Sequence, residues 1–289
     1  MNTETATIST LLSLHRELHG SSESPQLDCQ LILGHILNKP RAWLLANDEH
    51  TVDPGTIKTF MAHLARRREG EPLGYLTGIK EFWSLTLEVS TDTLIPRPET
   101  ELLVETALER LPADHRTIAD LGTGSGAIAI ALAVERPAWS IVATDNSEAA
   151  LAIARKNAAR HDCNNITFLL TDWCTGLGDH RFDMIVSNPP YVECGDPHLN
   201  GLRHEPASAL VSNDNGMADL KRIMLQAPAL LKQGGLLILE HGYNQQEAVC
   251  AELRGTGYQD IEVLYDLGGQ PRCAVATSAS PRYRNSCYE

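Results

Sequence analysis

The sequence lacks the features that mark several classes of protein. Its seven cysteines include no C-x-x-C pair, and its longest uninterrupted apolar run covers only residues 127–134. A disulfide framework or zinc site needs regularly spaced cysteines, and a transmembrane helix needs about 20 apolar residues. The start of the chain, residues 1–5, is polar and acidic and predicts no secretory signal. We therefore expect a cytoplasmic protein with free thiols, no metal site and no membrane attachment.

Positive charge is also scarce. The formal net charge is −13 at pH 7, and the basic residues form only one cluster, Arg66–Arg68. Proteins that bind duplex DNA usually neutralise many phosphates with lysine and arginine. The composition, 43% hydrophobic and 21% charged, is typical of a folded globular protein. We therefore expect a globular protein that does not bind nucleic acid directly. We also expect a monomer, although charge and composition do not bear on the oligomeric state.

The N-terminal part of the chain has the apolar spacing of helices. Two sets of residues follow this spacing: Ile8, Leu11, Leu12, His15 and Leu18, and then Ile57, Phe60, Met61 and Leu64. We expect a helical bundle over residues 1–74 and a catalytic domain over residues 101–278. Between them, residues 75–100 are expected to form a hairpin and a proline-rich linker. Residues 279–289 are predicted to be a flexible polar tail.

From residue 117 onward, strand and helix patterns alternate. Strands are predicted near residues 117–121, 140–145, 166–170, 182–187 and 236–240, and helices near residues 126–135, 147–161, 214–232 and 244–255. Such alternation is typical of an α/β domain whose parallel sheet is covered on both faces. Two further strands are predicted near residues 260–266 and 272–277, the last of them antiparallel.

The stretch Asn188–Tyr191, with the sequence NPPY, marks the end of a buried strand. Residues 182–187 before it are mostly apolar, and two successive prolines cannot continue a sheet because neither has an N–H. The stiff corner holds the Asn188 side-chain oxygen near the Pro189 carbonyl, which provides two acceptors for a planar –NH2 group. Tyr191 offers a flat face on which an amide or a base can stack. We interpret this corner as a candidate site for binding such a group.

A glycine-rich turn, Gly122–Gly126, connects the strand at residues 117–121 to an apolar helix. Glycines let the backbone approach a ligand closely and expose the N–H groups at the start of the helix. Asp145 ends the next strand about twenty residues later, where a carboxylate can bind ribose hydroxyls. Either NAD or S-adenosylmethionine fits this arrangement.

Residues after the third and fourth strands favour one of these two cofactors. Asp172 and Trp173 provide a carboxylate for an adenine amino group and an indole for its face, and Asn188 follows the fourth strand. Ligands of open α/β sheets bind at the carboxyl ends of the strands, so these strand ends can form one site. An NAD enzyme would also need an acid or base for hydride transfer, and the histidines beyond the fourth strand show no distinguishing spacing. We therefore favour S-adenosylmethionine.

Together these motifs resemble the class I S-adenosylmethionine-dependent methyltransferases. The full pattern is similar to the HemK family, the protein N5-glutamine methyltransferases that act on peptide chain release factors. NPPY alone is shared with adenine-N6 DNA methyltransferases, whereas the IPRPETE linker is specific to the family. The matching stretches are Glu71–Gly78 with Phe82, Ile95–Glu101, Asp120–Gly126, Asn188–Tyr191, Glu205–Pro206 and Glu240–Gly242.

The resemblance implies a Rossmann-like class I methyltransferase sheet, mostly parallel with the last strand antiparallel, and a small N-terminal helical bundle that docks the substrate. It implies methyl transfer from S-adenosylmethionine to N5 of the glutamine in the Gly-Gly-Gln loop of class-1 release factors, which tunes translation termination. Asn188, Pro189 and Tyr191 would be catalytic and, with Pro190, would hold the glutamine. The implied cofactor-binding residues are Asp120, Gly122, Thr123, Gly124, Ser125, Gly126, Asp145, Asp172, Trp173 and Asn188.

Three alternatives stay open. Glutamine methylation of a ribosomal protein would use the same corner, and the sequence separates it poorly from the release factor reaction. Adenine-N6 DNA methylation is disfavoured by the acidic charge and by the lack of room for a target-recognition domain after Tyr191. A protein that binds S-adenosylmethionine without catalysis would not need the acceptor corner.

Overall fold

The structure is a computed structural model that describes residues 5–279. The chain divides into two compact units, Met1–Ile79 and Lys80–Glu289. Residues 280–289 of the expected tail lie outside the described residues.

The first unit is helical. Asp53 begins one of its helices, since its side chain accepts a hydrogen bond from the Thr56 N–H at 3.0 Å and Pro54 occupies the first helical position. Apolar side chains from its helices, among them Leu33 and Phe60, form a buried core. Its elements are β1 (Ala6–Thr7), α1 (Ile8–Leu12), a 3-10 helix (Ser13–Leu18), α2 (Pro25–Leu37), α3 (Arg41–Ala46), β2 (Thr51–Val52), α4 (Pro54–Arg68) and α5 (Leu73–Thr77).

The second unit is an α/β domain. Its helices are α6 (Glu101–Arg110), α7 (Ala127–Glu135), α8 (Glu148–Arg160), α9 (Ala218–Gln226) and α10 (Gln246–Gly255). The strands that follow β2 are β3 (Ile79–Phe82), β4 (Leu85–Glu88), β5 (Thr117–Leu121), β6 (Ser140–Asp145), β7 (Ile166–Leu170), β8 (Phe182–Ser187), β9 (Val192–Glu193), β10 (Val211–Ser212), β11 (Leu231–Glu240), β12 (Gln259–Tyr265) and β13 (Pro271–Thr277). No helix in residues 5–279 is long and apolar enough to cross a membrane.

A seven-stranded sheet forms the centre of this domain, in the order β12-β13-β11-β8-β5-β6-β7. Strands β11, β8, β5, β6 and β7 are parallel to one another, whereas β13 is antiparallel to both β11 and β12. The prediction of a mostly parallel sheet with an antiparallel last strand is confirmed, and that strand lies between β11 and β12. The chain order reverses between β5 and β8, and such a reversal opens a crevice beside the carboxyl ends of the strands.

Buried apolar residues cover both faces of the sheet. Along β5, Ile118 packs with α6 and α7, whereas its neighbour Ala119 packs with α9 and α10 on the other face. Successive side chains of a strand point to opposite faces, so a strand buried on both sides is apolar throughout. The two cores hold the carboxyl ends of the central strands in a fixed frame.

The predicted helix over residues 214–232 is wrong in its extent. A left-handed turn at Asp214, Asn215 and Gly216 precedes α9, which ends at Gln226. Pro228 then lies in a short 3-10 helix, because proline cannot donate the hydrogen bond that would continue an α-helix. Strand β11 begins at Leu231, earlier than the expected residue 236, with an irregular register before Leu236.

Candidate functional site

A cavity of about 260 Å³ lies at the carboxyl ends of β5, β6, β7 and β8. Polar and apolar groups from all four strand ends line it, and parallel strands bring these ends to one edge of the sheet. The residues from these strand ends are Gly122, Gly124, Asp145, Thr171, Asp172, Trp173, Asn188 and Pro190. The structure therefore brings together the side chains that the sequence placed at successive strand ends.

The glycine-rich turn forms one wall of this cavity. Gly122, Gly124 and Gly126 have φ angles of 72°, 56° and 86°, a left-handed conformation that favours glycine. A Cβ atom at Gly124 would meet no atom within 4 Å, so this backbone borders open space. A Cβ atom at Gly122 would lie 2.9 Å from the Trp173 ring. The turn thus presents bare backbone to the cavity, with the indole packed against it.

Asp120 supports this turn from behind and does not line the cavity. Its Oδ2 accepts hydrogen bonds from the Thr123 hydroxyl at 2.7 Å and from the Ala129 N–H at 3.2 Å. The side chain is fully buried, and burial raises the pKa of its carboxyl to about 7. Its other oxygen, Oδ1, has no hydrogen-bond partner in residues 5–279. Asp120 therefore shapes the turn that carries the cavity-lining glycines.

Asp145 connects the end of β6 to the glycine-rich turn. Its Oδ2 accepts a hydrogen bond from the Gly124 N–H and its Oδ1 one from the Ser147 N–H, both at 2.9 Å. Each carboxylate oxygen has a second lone pair, so both can still accept from a ligand hydroxyl. Burial raises the pKa of this carboxyl, although hydrogen bonds from Gly124 and Ser147 oppose the shift.

Trp173 and Asp172 form the wall that follows β7. Trp173 has a φ of 50°, and its indole Nε1 donates to Asp219 at 3.2 Å, while the Ser212 hydroxyl donates to the same carboxylate at 2.6 Å. Asp172 forms an ion pair with Arg222 at 2.6 Å. Asp219 thus fixes the indole plane beside the cavity, an arrangement that sequence reasoning missed.

The Asn188 corner is tied to two residues that are distant in the sequence. The Asn188 Nδ2 donates to the Thr100 hydroxyl at 3.0 Å, and the Thr100 hydroxyl donates to Glu240 Oε2 at 2.7 Å. The Tyr191 hydroxyl donates to Glu240 Oε1 at 3.1 Å. Because Nδ2 contacts Thr100, the Oδ1 atom of Asn188 is available to accept from a ligand in the cavity.

The backbone after this corner is held as well. The Gln245 side-chain Nε2 donates to the Tyr191 carbonyl at 3.0 Å, and its Oε1 accepts from the Gly242 N–H at 2.8 Å. A Cβ atom at Gly216 would lie 2.1 Å from the Tyr191 carbonyl oxygen, so only glycine permits this close approach. Tyr191 is therefore anchored through its hydroxyl and through its main chain.

A further part of the wall comes from segments that sequence reasoning did not assign to the site. Residues 91–94 line the cavity, as do Pro206, Ser208 and Ala209. Glu205 joins the two segments, since its carboxylate accepts from the Ile95 N–H at 3.1 Å and from the Arg97 guanidinium. The available signal was the presence of Glu205–Pro206 and the proline-rich linker among the motifs shared with the family.

The other predicted site residues lie around the cavity without lining it. Thr123 and Ser125 are buried, and the Ser125 carbonyl accepts a hydrogen bond from the Asn157 side chain at 2.9 Å. Gly126 precedes α7, where a Cβ atom would lie 2.8 Å from Ile130. Pro189 is buried as well. These residues shape the turn and the corner from within the fold.

Family models match both units of the chain. Residues 11–78 match the PrmC N-terminal domain, and residues 98–203 match the methyltransferase small domain. A release factor glutamine methyltransferase from Coxiella burnetii is 47% identical over 265 residues, which cover 91% of this chain and 96% of that protein. The chain belongs to the release factor glutamine methyltransferase family.

Further similarities agree with this family assignment. The family member from Escherichia coli K12 is 47% identical over 257 residues, which cover 88% of this chain and 93% of that protein. Among solved structures, a methyltransferase from Pyrococcus furiosus is 18% identical and has a TM-score of 0.52, covering 68% of this chain and 90% of that one. The solved structure supports the class I methyltransferase fold, and the sequence relatives identify the chain as a methyltransferase.

Proposed function

We propose that this enzyme transfers the methyl group of S-adenosylmethionine to N5 of the glutamine in the Gly-Gly-Gln loop of class-1 release factors, and thereby tunes translation termination. The observation that carries the proposal is the Asn188 corner, which borders the same cavity as the glycine-rich turn. Relatives named for this activity match nearly the whole chain at 47% identity.

The cavity has the groups that S-adenosylmethionine requires. Gly122 and Gly124 border it with bare backbone, which lets a bulky ligand approach, and the Asp145 carboxylate suits a ribose diol. Trp173 presents an indole for the adenine face, and Asp172 a carboxylate for its amino group. The cofactor supplies a methyl group that its sulfonium makes electrophilic. We infer that these five residues and Asn188 hold it.

The Asn188 corner addresses the main chemical difficulty of the reaction. An amide nitrogen is a poor nucleophile because its lone pair is delocalised into the carbonyl. Asn188 Oδ1 and the Pro189 carbonyl would accept from the two hydrogens of the glutamine –NH2 and so fix its orientation. They would also stabilise the positive charge that develops on the nitrogen, and orientation with such electrostatic stabilisation accounts for large rate effects.

The same corner explains why no strong base is needed and why glutamate is rejected. An alkylated amide nitrogen loses its proton readily to solvent, so the acceptors need only stabilise the charged stage. A glutamate carboxylate would direct its lone pairs at the two acceptors, and unpaired buried acceptors are costly. The corner therefore selects an amide.

We further propose that the helical unit docks the protein substrate. A single glutamine side chain offers little binding energy with which to orient its amide. A folded partner that binds elsewhere on the enzyme can supply that energy. This division of roles assigns recognition to the first unit and chemistry to the second.

Methyl transfer to a purified class-1 release factor is the direct test. We expect the intact factor to be methylated much faster than its isolated Gly-Gly-Gln peptide, since the peptide lacks the docking surface. The Gln→Glu variant of the factor should be inert because it lacks the –NH2 group, and the Gln→Asn variant because it is one methylene too short. The measurement is the tritium that transfers from labelled cofactor.

A ribosomal protein fraction and duplex DNA serve as competing substrates in the same assay. Label on DNA that weakens as salt rises would instead support adenine methylation, because phosphate contacts are salt-dependent. Label on a ribosomal protein and none on the release factor would reject the proposed substrate. Label on the Gln→Glu factor would reject the proposed target atom.

Gly122→Ala should weaken both the fold and cofactor binding. The new Cβ atom would lie 2.9 Å from the Trp173 ring on a backbone with φ of 72°. We expect the free energy of unfolding to fall by about 1–3 kcal/mol and cofactor affinity to fall at least about 10-fold, because the turn and the indole must move apart. Denaturant titration and calorimetry measure the two effects.

Gly255→Ala is the matched control, since a Cβ atom there would meet nothing within 4 Å. It should leave both quantities close to their wild-type values. Equal affinity in Gly122→Ala and Gly255→Ala would mean that the cofactor does not depend on this turn.

A further inference from the structure

Two buried residues of the Asn188 network have no role in the mechanism above. Thr100 and Glu240 are only 4% and 1% exposed, and neither lines the cavity. They stand 140 positions apart in the sequence, yet the Thr100 hydroxyl donates to Glu240 and accepts from the Asn188 Nδ2. Burying a carboxylate costs folding free energy unless the carboxylate is paired and hydrogen-bonded.

The direction of each hydrogen bond in this network follows from proton counting. A carboxylate only accepts, and a hydroxyl has one proton to donate. When Glu240 is ionised, the Thr100 proton must point to Glu240, so the Thr100 oxygen is an acceptor towards Asn188. Only the –NH2 end of the Asn188 carboxamide can donate to that oxygen. The Oδ1 end is then turned away from Thr100.

We propose that Thr100 and Glu240 are positioning residues that orient the Asn188 carboxamide so that its oxygen, and not its –NH2 group, meets the substrate amide. The inference rests on the proposed function, because it concerns the acceptor that grips the glutamine. A carboxamide turned by 180° about its last torsion would direct its own hydrogens at the substrate –NH2 and repel it.

Tyr191 completes the same network. Its hydroxyl donates to the second oxygen of Glu240, and burial, with Glu240 nearby, raises the pKa of that hydroxyl, which keeps it a donor. Glu240 thus accepts two hydrogen bonds from two hydroxyls, one on each oxygen. A glutamine at position 240 cannot accept at both ends, because one end of its carboxamide is an –NH2 group.

Protonation of Glu240 would reverse the direction of the hydrogen bonds from Glu240 through Thr100 to Asn188. Burial raises the pKa of Glu240 to about 7, while hydrogen bonds from Thr100 and Tyr191 and the charge of Arg272 oppose the shift and Glu99 adds to it. Burial and the nearby charge of Glu240 raise the pKa of the Cys273 thiol. The active form is the ionised one, so turnover should fall as pH falls through about 7. A neutral carboxyl could donate to Thr100, whose proton would then point to Asn188.

The first test compares Thr100→Val with Thr100→Ser. Valine has a similar shape but no hydroxyl, and serine keeps the hydroxyl. With saturating cofactor and release factor, we expect kcat to fall about 10- to 100-fold in Thr100→Val and to stay within about threefold in Thr100→Ser. The cofactor dissociation constant should change less than about threefold in both. Thermal unfolding checks that both variants fold.

The outcomes are distinct. Wild-type kcat in Thr100→Val would overturn the inference. Equal losses in the valine and serine variants would also overturn it, because they would reflect packing rather than the hydroxyl. Absence of methyl transfer by the wild-type enzyme to any release factor would instead reject the proposed function.

The second test is the pH profile of Glu240→Gln. The wild-type kcat should rise between about pH 6 and 8, whereas Glu240→Gln should show a lower kcat that varies little over that range. A rise that persists in Glu240→Gln would assign the titration to another group, such as Asp120, and would overturn the role of Glu240. If Glu240→Gln does not fold, the comparison of Thr100→Val with Thr100→Ser still tests the inference.

Discussion

Asn188→Ala is expected to lower kcat roughly 30- to 1000-fold while the protein stays folded. The substitution removes one of the two acceptors proposed for the glutamine –NH2 and would leave a substrate donor unpaired, and losses of this kind fall in that range. It also removes the hydrogen bond to Thr100, whose hydroxyl can still donate to Glu240. Single-turnover methyl transfer to an intact release factor is the appropriate measurement, because it reports the chemical step.

Affinity for the cofactor should fall far less than kcat in this variant. Asn188 is one of several residues that line the cavity, whereas it supplies half of the proposed acceptor pair. The exposed Asn164 provides a matched control, since Asn164→Ala removes the same group at the surface. Turnover of Asn188→Ala within threefold of the wild type would refute the assigned role.

Asp145→Ala is expected to weaken S-adenosylmethionine binding by about 1.5–3 kcal/mol, the value of hydrogen bonds to a charged group. This corresponds to a dissociation constant about 10- to 150-fold higher. The change also removes the acceptor for the Gly124 and Ser147 N–H groups, so the cavity wall loosens with it. Isothermal titration calorimetry with the enzyme alone measures the effect.

The affinity for S-adenosylmethionine should depend on pH, in a direction that the ionisation of Asp145 sets. Burial raises the pKa of Asp145. In the proposed role, the ionised carboxylate is the form that accepts from the two ribose hydroxyls. Affinity should therefore fall as pH falls through that raised pKa, and Asp145→Asn should bind weakly with less dependence on pH. Asp179→Ala, at an exposed site, is the control. Unchanged affinity in Asp145→Ala would mean that other groups hold the ribose, and tight NADH binding would overturn the choice of cofactor.

The sequence predicted the strand ends well because local chemistry decides them. The bounds of β5, β6, β7 and β8 agree with the predicted strands at residues 117–121, 140–145, 166–170 and 182–187. Continuous apolar runs mark strands that are buried on both faces, and glycine or proline marks where they end. Since parallel strands end at one edge, the sequence also indicated that Asp145 and Asn188 would border one cavity.

The sequence pattern did not predict where the helix near residues 214–232 ends and where β11 begins. The apolar spacing of residues 214–232 resembles a helix, but Pro228 ends the helical hydrogen bonding and the irregular pairing before Leu236 lets β11 begin early. Spacing alone cannot separate a short helix followed by a strand from one longer helix.

By itself, the sequence determined the class of the protein, an α/β methyltransferase sheet with a glycine-rich turn, and it indicated the corner at Asn188 as a candidate site. Only the tertiary structure decided what surrounds that corner. Glu240 meets Thr100 across 140 positions, and Glu205 meets Ile95 across 110. The physical reason is the distance along the sequence between interacting residues. Turns and strand ends follow from neighbouring residues, whereas the orientation of a buried side chain depends on partners that only folding brings into contact.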